Sequence, residues 1–159
     1  MHGTRFSIIE AGVDESAAAG RVRHDAASDG TAAMKKILLV DDETFFLQVL
    51  NRALESPSTE VKTVETGNEA LQEVAATPYH FCFLDVCLPD IDGTEVLKRI
   101  AEISPKTKVI MMTAGDVTGS MQQVIEKYAY MFLTKPFELI QLRMLTKSIP
   151  EEAASRPAL

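Results

Sequence analysis

Residues with functional side chains stand directly after apolar runs in this chain: Asp41 and Asp42 after Lys36–Val40, Asp85 after Phe81–Leu84, Thr113 after Lys108–Met112, and Lys135 after Met131–Thr134. Short runs rich in aromatic and β-branched residues suit buried parallel strands. Open α/β folds place their chemistry at the carboxyl ends of such strands, so these residues belong to one edge of a sheet. If the first and third strands are neighbours where the strand order reverses, the three acids converge. Carboxylates that close raise one another's pKa unless a counter-charge is supplied. Two remedies are visible, a divalent cation and Lys135. Hard oxygen donors, with no imidazole or thiolate ligand set on offer, suit Mg²⁺, with calcium or manganese as test-tube substitutes. A carboxylate beside Mg²⁺ and an ammonium is equipped for phosphoryl transfer: Asp85 attacks as a nucleophile and becomes an acyl phosphate. The Thr113 hydroxyl can then meet a phosphoryl oxygen.

The elements between these strand ends follow from periodicity. Thr44–Glu55 carries Phe46, Val49, Leu50, Ala53 and Leu54 at helical spacing and is closed by Pro57. Glu60–Val64 is a short strand. Asn68–Ala76 is a second helix with Ala70, Leu71, Val74 and Ala75 inward, and Tyr79–Leu84 is the strand that leads to Asp85. Thr94–Ile103 presents Leu97, Ile100 and Ala101 inward, Asp116–Lys127 presents Met121, Val124, Ile125 and Tyr128, and Glu138–Ser148 presents Leu139, Leu142 and Leu145. Asp90 and Asp92 read as turn residues, and Met111, Met112, Met121 and Met144 as core filler. Five strands, each followed by a helix through short connections, predict a doubly wound α/β domain with a parallel sheet covered on both faces.

Composition sets the outer limits. The 159 residues suffice for one domain with tails: an extension over 1–33 that reads as disordered, a folded domain over 34–149, and a flexible tail over 150–159. The net charge of −7 and the lack of a basic run leave no footprint for nucleic acid. No stretch reaches the roughly 18 apolar residues of a membrane span, and no secretory signal is visible, so a cytoplasmic protein is expected. Cys82 and Cys87 match no metal-binding spacing and read as reduced thiols.

Asp41-Asp42-Glu43, Asp85 with Pro89 and Gly93, Thr113-Ala114 and Lys135-Pro136-Phe137 together resemble the receiver domain of bacterial two-component response regulators, over about Lys35 to Ile149. The resemblance implies a flavodoxin-like sheet of order 2-1-3-4-5 and a phosphoryl group received on Asp85 from a histidine kinase or phosphotransfer protein. It implies Mg²⁺ held by Asp42, Asp85 and the backbone carbonyl of Cys87, with Asp41 acting through water. Lys135 would pair with the phosphoryl group, and its bond to Pro136 would be cis. Thr113 and Phe132 would move as a switch, read by a protein target on the face of the fourth helix, fifth strand and fifth helix. A homodimer is a further candidate partner, and membrane or direct nucleic-acid binding is not implied. The chain departs from the family at Tyr128-Ala129, where Gly usually precedes Ala. A bulky residue there predicts a shifted or distorted end to the fourth helix.

The resulting expectation is a stand-alone phosphoacceptor switch, not an enzyme beyond its own phosphorylation and dephosphorylation. Two alternatives stand beside it. A Mg²⁺-dependent aspartyl phosphatase of haloacid-dehalogenase type would use an acid after the first strand, but Glu43 stands where that family has a second Asp. A pseudo-receiver would bind partners without being phosphorylated. Taken singly, the acids could merely cap helices, and Lys135 could be a solvated surface charge.

Overall fold

The computed structural model describes residues 33–148. Expectations for the extension up to residue 32 and for the tail from residue 149 lie outside the described residues. Five strands alternate with five helices: β1 Lys35–Val40, α1 Thr44–Leu54, β2 Thr59–Val64, α2 Gly67–Ala76, β3 Phe81–Asp85, α3 Gly93–Ile103, β4 Lys108–Thr113, α4 Gly119–Tyr128, β5 Met131–Thr134 and α5 Leu139–Ser148. The sheet is parallel throughout, in the order β2-β1-β3-β4-β5. β1 and β3 are therefore neighbours, with Val40 opposite Leu84.

The period-2 alternation of the strands splits the core into two layers. Leu38, Val40, Cys82, Leu84, Val109 and Met111 pack on one face with Val74, Val96, Leu97, Ile100 and Ile125 of α2, α3 and α4. Ile37, Leu39, Phe81, Phe83, Ile110 and Met112 pack on the other with Leu47 and Leu50 of α1 and Leu142 of α5. β1 and β3 are buried almost end to end, which is why they read as unbroken apolar runs.

Several expected inward positions face out. Leu139, Met144 and Tyr128 are exposed, because α5 buries only Leu142 and Thr146, with Leu145 half-buried beside them, and α4 buries Ile125 most deeply. Ala75 is exposed as well. α4 starts at Gly119, not Asp116, with Thr118 as its extended N-cap and the first helical bond running from Gln122 N–H to the Thr118 carbonyl. Its C-terminal end is regular, contrary to the expected distortion. Ala129 is extended (φ −79°, ψ 144°), its N–H still bonds the Ile125 carbonyl, and Tyr130 joins the sheet through the Val109 carbonyl. The helix passes directly into an extended residue at Ala129, so Tyr128, the last helical residue, meets no left-handed penalty.

Candidate functional site

Asp41 follows β1 by one residue and keeps that strand's alternation, sharing a parity with Ile37 and Leu39. Asp85 ends β3 with the parity of Phe81 and Phe83. Both side chains thus arise on the α1/α5 side of the sheet, and both are buried. Asp42, one residue on, is exposed. One carboxylate oxygen from each of Asp41, Asp42 and Asp85 lies within 4.8 Å of the others.

Lys135 enters this group from the end of β5, where its N–H bonds the Thr113 carbonyl at 2.7 Å and its peptide bond to Pro136 is cis. Its ammonium donates to Asp41 Oδ2 at 2.6 Å and to Asp85 Oδ2 at 3.2 Å, and lies 3.9 Å from Glu43 Oε1. It also rests 4.3 Å above the centroid of the Phe46 ring, which meets Phe137 edge-on at 5.8 Å. The lysine is therefore held by two carboxylates and an aromatic face.

Burial pushes the Asp85 carboxyl above the usual carboxylate range, and the charge of Asp41 pushes the same way. The Cys87 N–H and Lys135 oppose them without cancelling them. Burial works against the Lys135 charge, but the bonds and charges of Asp41 and Asp85 outweigh it and hold the ammonium above its ordinary range. Three carboxylates facing one ammonium leave negative charge to be neutralised. The oxygens are hard donors, and this donor set fits a hard divalent cation.

The loop after Asp85 is closed tightly. Val86 N–H bonds the Met112 carbonyl, Gly93 N–H bonds the Val86 carbonyl at 2.9 Å, and Cys87 N–H bonds Asp85 Oδ1 at 3.2 Å. A side chain at Gly93 would run into the Asp85 carbonyl and the Val86 backbone. Thr113 is buried at the end of β4, and its hydroxyl oxygen accepts from Gly115 N–H at 3.2 Å. Phe132 lies opposite Met111 on β5 and is 38% exposed.

The structure thus brings Asp41, Asp42, Asp85 and Lys135 into one cluster. Thr113 borders it through the backbone bond to Lys135, while Phe132 sits apart on the outer strand. Phe46 was expected only as part of the α1 core face, and its contact with the Lys135 ammonium had no signal in the sequence. Asp90, read as a turn residue, instead accepts from Gly67 and Asn68 at the start of α2.

The family model for the response regulator receiver domain matches residues 37–147, and the chain belongs to that family. Among curated relatives, it is 36% identical over 106 residues to the uncharacterized transcriptional regulatory protein YkoG of Bacillus subtilis, covering 67% of this chain and 46% of that one. It is 33% identical over 106 residues to the chemotaxis protein CheY of Listeria monocytogenes, covering 66% of this chain and 89% of that one. Among solved structures, a CheY-like receiver domain protein from Methanospirillum hungatei superposes with a TM-score of 0.68 at 28% identity, covering 72% of this chain and 92% of that one. The response regulator TrrA of Thermotoga maritima, in complex with Mg²⁺ and beryllofluoride, superposes at 0.63 with 31% identity, covering 72% and 97%. The chain spans less than half the length of several curated relatives it matches, 46% of YkoG, 25% of the response regulator protein PilR and 48% of PhoP. No helix among the described residues is long and apolar enough to cross a membrane.

Proposed function

We propose that this chain is a phosphoacceptor switch in which Asp85 takes a phosphoryl group from a histidine kinase or phosphotransfer protein. The carboxylate oxygen of Asp85 would form the new O–P bond as the donor's P–N bond breaks, leaving an acyl phosphate. The observation that carries this reading is the convergence of Asp41, Asp42 and Asp85 within 4.8 Å around the Lys135 ammonium. Asp42, Asp85 and the Cys87 carbonyl would hold Mg²⁺, with Asp41 acting through water. When bound, the ion supplies positive charge against the phosphoryl oxygens.

Lys135 neutralises the incoming charge, and Thr113 offers its hydroxyl from the neighbouring strand end. Phe132 is the switching aromatic, and it sits partly exposed on β5. The readout surface is the face of α4, β5 and α5, where Tyr128, Tyr130, Phe132, Leu139, Ile140 and Met144 are exposed; a protein target or a second copy would dock there. A cytoplasmic setting is consistent with the two free thiols Cys82 and Cys87.

Incubation with a small phosphodonor and Mg²⁺, read by intact mass, tests the proposal. Wild type should gain one phosphoryl mass and Asp85→Asn none. Equal labelling of both would rule out Asp85 as the acceptor. Loss of labelling only in Asp41→Asn, with turnover of small phosphate esters, would favour the phosphatase. No labelling and no Mg²⁺ binding in wild type would leave the pseudo-receiver.

A further inference from the structure

The loop from Val86 to Asp92 carries the Cys87 carbonyl and is closed at its base by the Val86–Gly93 bond, yet its middle reaches across to a different helix. α2 begins at Gly67, and a helix start leaves its first N–H groups without intrahelical partners. Thr66, the N-cap just before the helix, supplies one partner locally, accepting from Glu69 N–H at 3.2 Å, and Glu69 reaches back to the Thr66 N–H. The two remaining donors are satisfied from outside. Asp90 Oδ1 accepts from Gly67 N–H at 2.8 Å and Asp90 Oδ2 from Asn68 N–H at 2.9 Å, across sequence separations of 23 and 22 residues.

Both carboxylate oxygens are therefore engaged, which fixes the plane of the group as well as its position, and the positive end of the helix dipole favours the charge. Slight burial pushes the Asp90 carboxyl up, but the N–H groups of Asn68 and Gly67 outweigh it and hold it below the usual carboxylate range. The start of α2 is crowded, most closely by α3 and next by the loop. A Cβ on Gly67 would lie 2.7 Å from Val96 Cγ2, 3.3 Å from Ile91 Cβ and 3.4 Å from Asp90 Oδ1. Among the described residues, no other hydrogen bond ties the middle of this loop to another helix. Only Leu88 and Pro89 separate Cys87 from Asp90, and the proline restricts the link.

We infer that Asp90 is a positioning residue for the phosphoacceptor site: by clamping the loop to the start of α2, it holds the Cys87 carbonyl in place for a divalent cation. The inference rests on the phosphoacceptor reading above, which puts the cation at that carbonyl. A residue serving only as a helix cap would affect stability and leave cation binding alone. One serving as a clamp affects both.

The test is Mg²⁺ binding by calorimetry, with thermal unfolding and amide hydrogen exchange measured on the same samples of the full chain. Asp90→Ala should weaken Mg²⁺ binding by about tenfold, the lower end of what loss of a supporting partner costs a metal site, and should speed exchange between Cys87 and Ile91. Asp90→Asn keeps one acceptor oxygen and should recover part of the loss. Gly67→Ala, which crowds Val96 of α3 at 2.7 Å and Ile91 of the loop at 3.3 Å while leaving Asp90 intact, should reproduce the weakening and provides a second route if Asp90→Ala folds poorly. In the double variant the two losses should not add. Asp90→Ala that melts lower but binds Mg²⁺ as wild type does would overturn the clamp and leave a simple cap. Wild type that binds no Mg²⁺ would instead remove the phosphoacceptor reading, and this inference with it.

Discussion

Lys135 Nζ lies 2.6 Å from Asp41 Oδ2, and the Asp41 side chain at the other end of that bond is fully buried. The bond is shorter than the one Lys135 makes to Asp85, at 3.2 Å. Before any phosphoryl group arrives, the lysine is therefore held chiefly by the acid proposed to act through water. Asp85 Oδ2 keeps only the longer contact, which leaves it the more available of the two to react.

Removing the ammonium tests this balance. Lys135→Met leaves two buried carboxylates facing each other and should cost about 3–5 kcal/mol at neutral pH, the usual penalty for breaking a buried pair from one side. The loss should shrink in acid, where the Asp85 carboxyl, held above its usual range, protonates. Urea unfolding at pH 7 and pH 4.5 provides the comparison, and an equal loss at both would show that packing on Phe46, not charge, is the main contribution.

Asp85 makes the opposite prediction for the metal-free protein. Its carboxyl is held above the ordinary range, so the folded chain grips the proton more tightly than the unfolded chain does. The stability this gives is fully present below about pH 4 and is lost as pH rises through the higher folded value. Lys135, also raised, loses its contribution only above about pH 10.4. At neutral pH without metal, Asp85→Asn should be more stable than wild type by about 1 kcal/mol, a typical stabilising step, while being unable to accept phosphate. Thermal melts from pH 3 to pH 8 should show the advantage of the variant absent below about pH 4 and growing as pH rises.

Added Mg²⁺ should reverse that order. A ligand at about a hundred times its dissociation constant stabilises the state that binds it by about 2.7 kcal/mol. Wild type should gain this in a Mg²⁺ titration of its melting temperature, while Asp42→Ala and Asp85→Asn should gain little. Equal gains in all three proteins would place the ion elsewhere.

Gly93→Ala probes the loop from the other side. The added methyl would meet only backbone, 2.7 Å from Val86 Cα and 2.8 Å from the Val86 carbonyl oxygen, so no side chain can swing aside to relieve it. Overpacking of this kind costs about 1–3 kcal/mol. Chemical denaturation should show at least that loss, with slower phosphorylation by a small donor because the Asp85 carbonyl must shift.

The strands and the site acids were legible because both obey local rules. Phe81–Leu84 is apolar and stops at a carboxylate, and Lys36–Val40 does the same. The neighbouring of β1 and β3 was not legible from periodicity, since short parallel crossovers fit several strand orders, and it came only through resemblance to the family. Asp90 escaped for a similar reason. Asp90 and Asp92 sit in one turn with identical side chains, and Asp92 caps the adjacent α3 while Asp90 caps a helix more than twenty residues upstream. Leu139 and Met144 were misplaced because a helix lying on one edge of a layer buries a narrower stripe than its composition offers.

The two-layer parity of the sheet sets a limit on how this site can vary. Asp41 is buried beside the lysine while Asp42, one residue on, is exposed at the rim of the same cluster, because each is counted from the same strand in steps of two. Deleting one residue from β1 would present a different member of the Asp41-Asp42-Glu43 run to Lys135, with every apolar neighbour turned to the wrong layer at once. The strand behaves as a ruler marked in pairs. Point substitutions can tune the site by degrees, whereas a single-residue insertion or deletion in β1 should abolish the fold and the chemistry together.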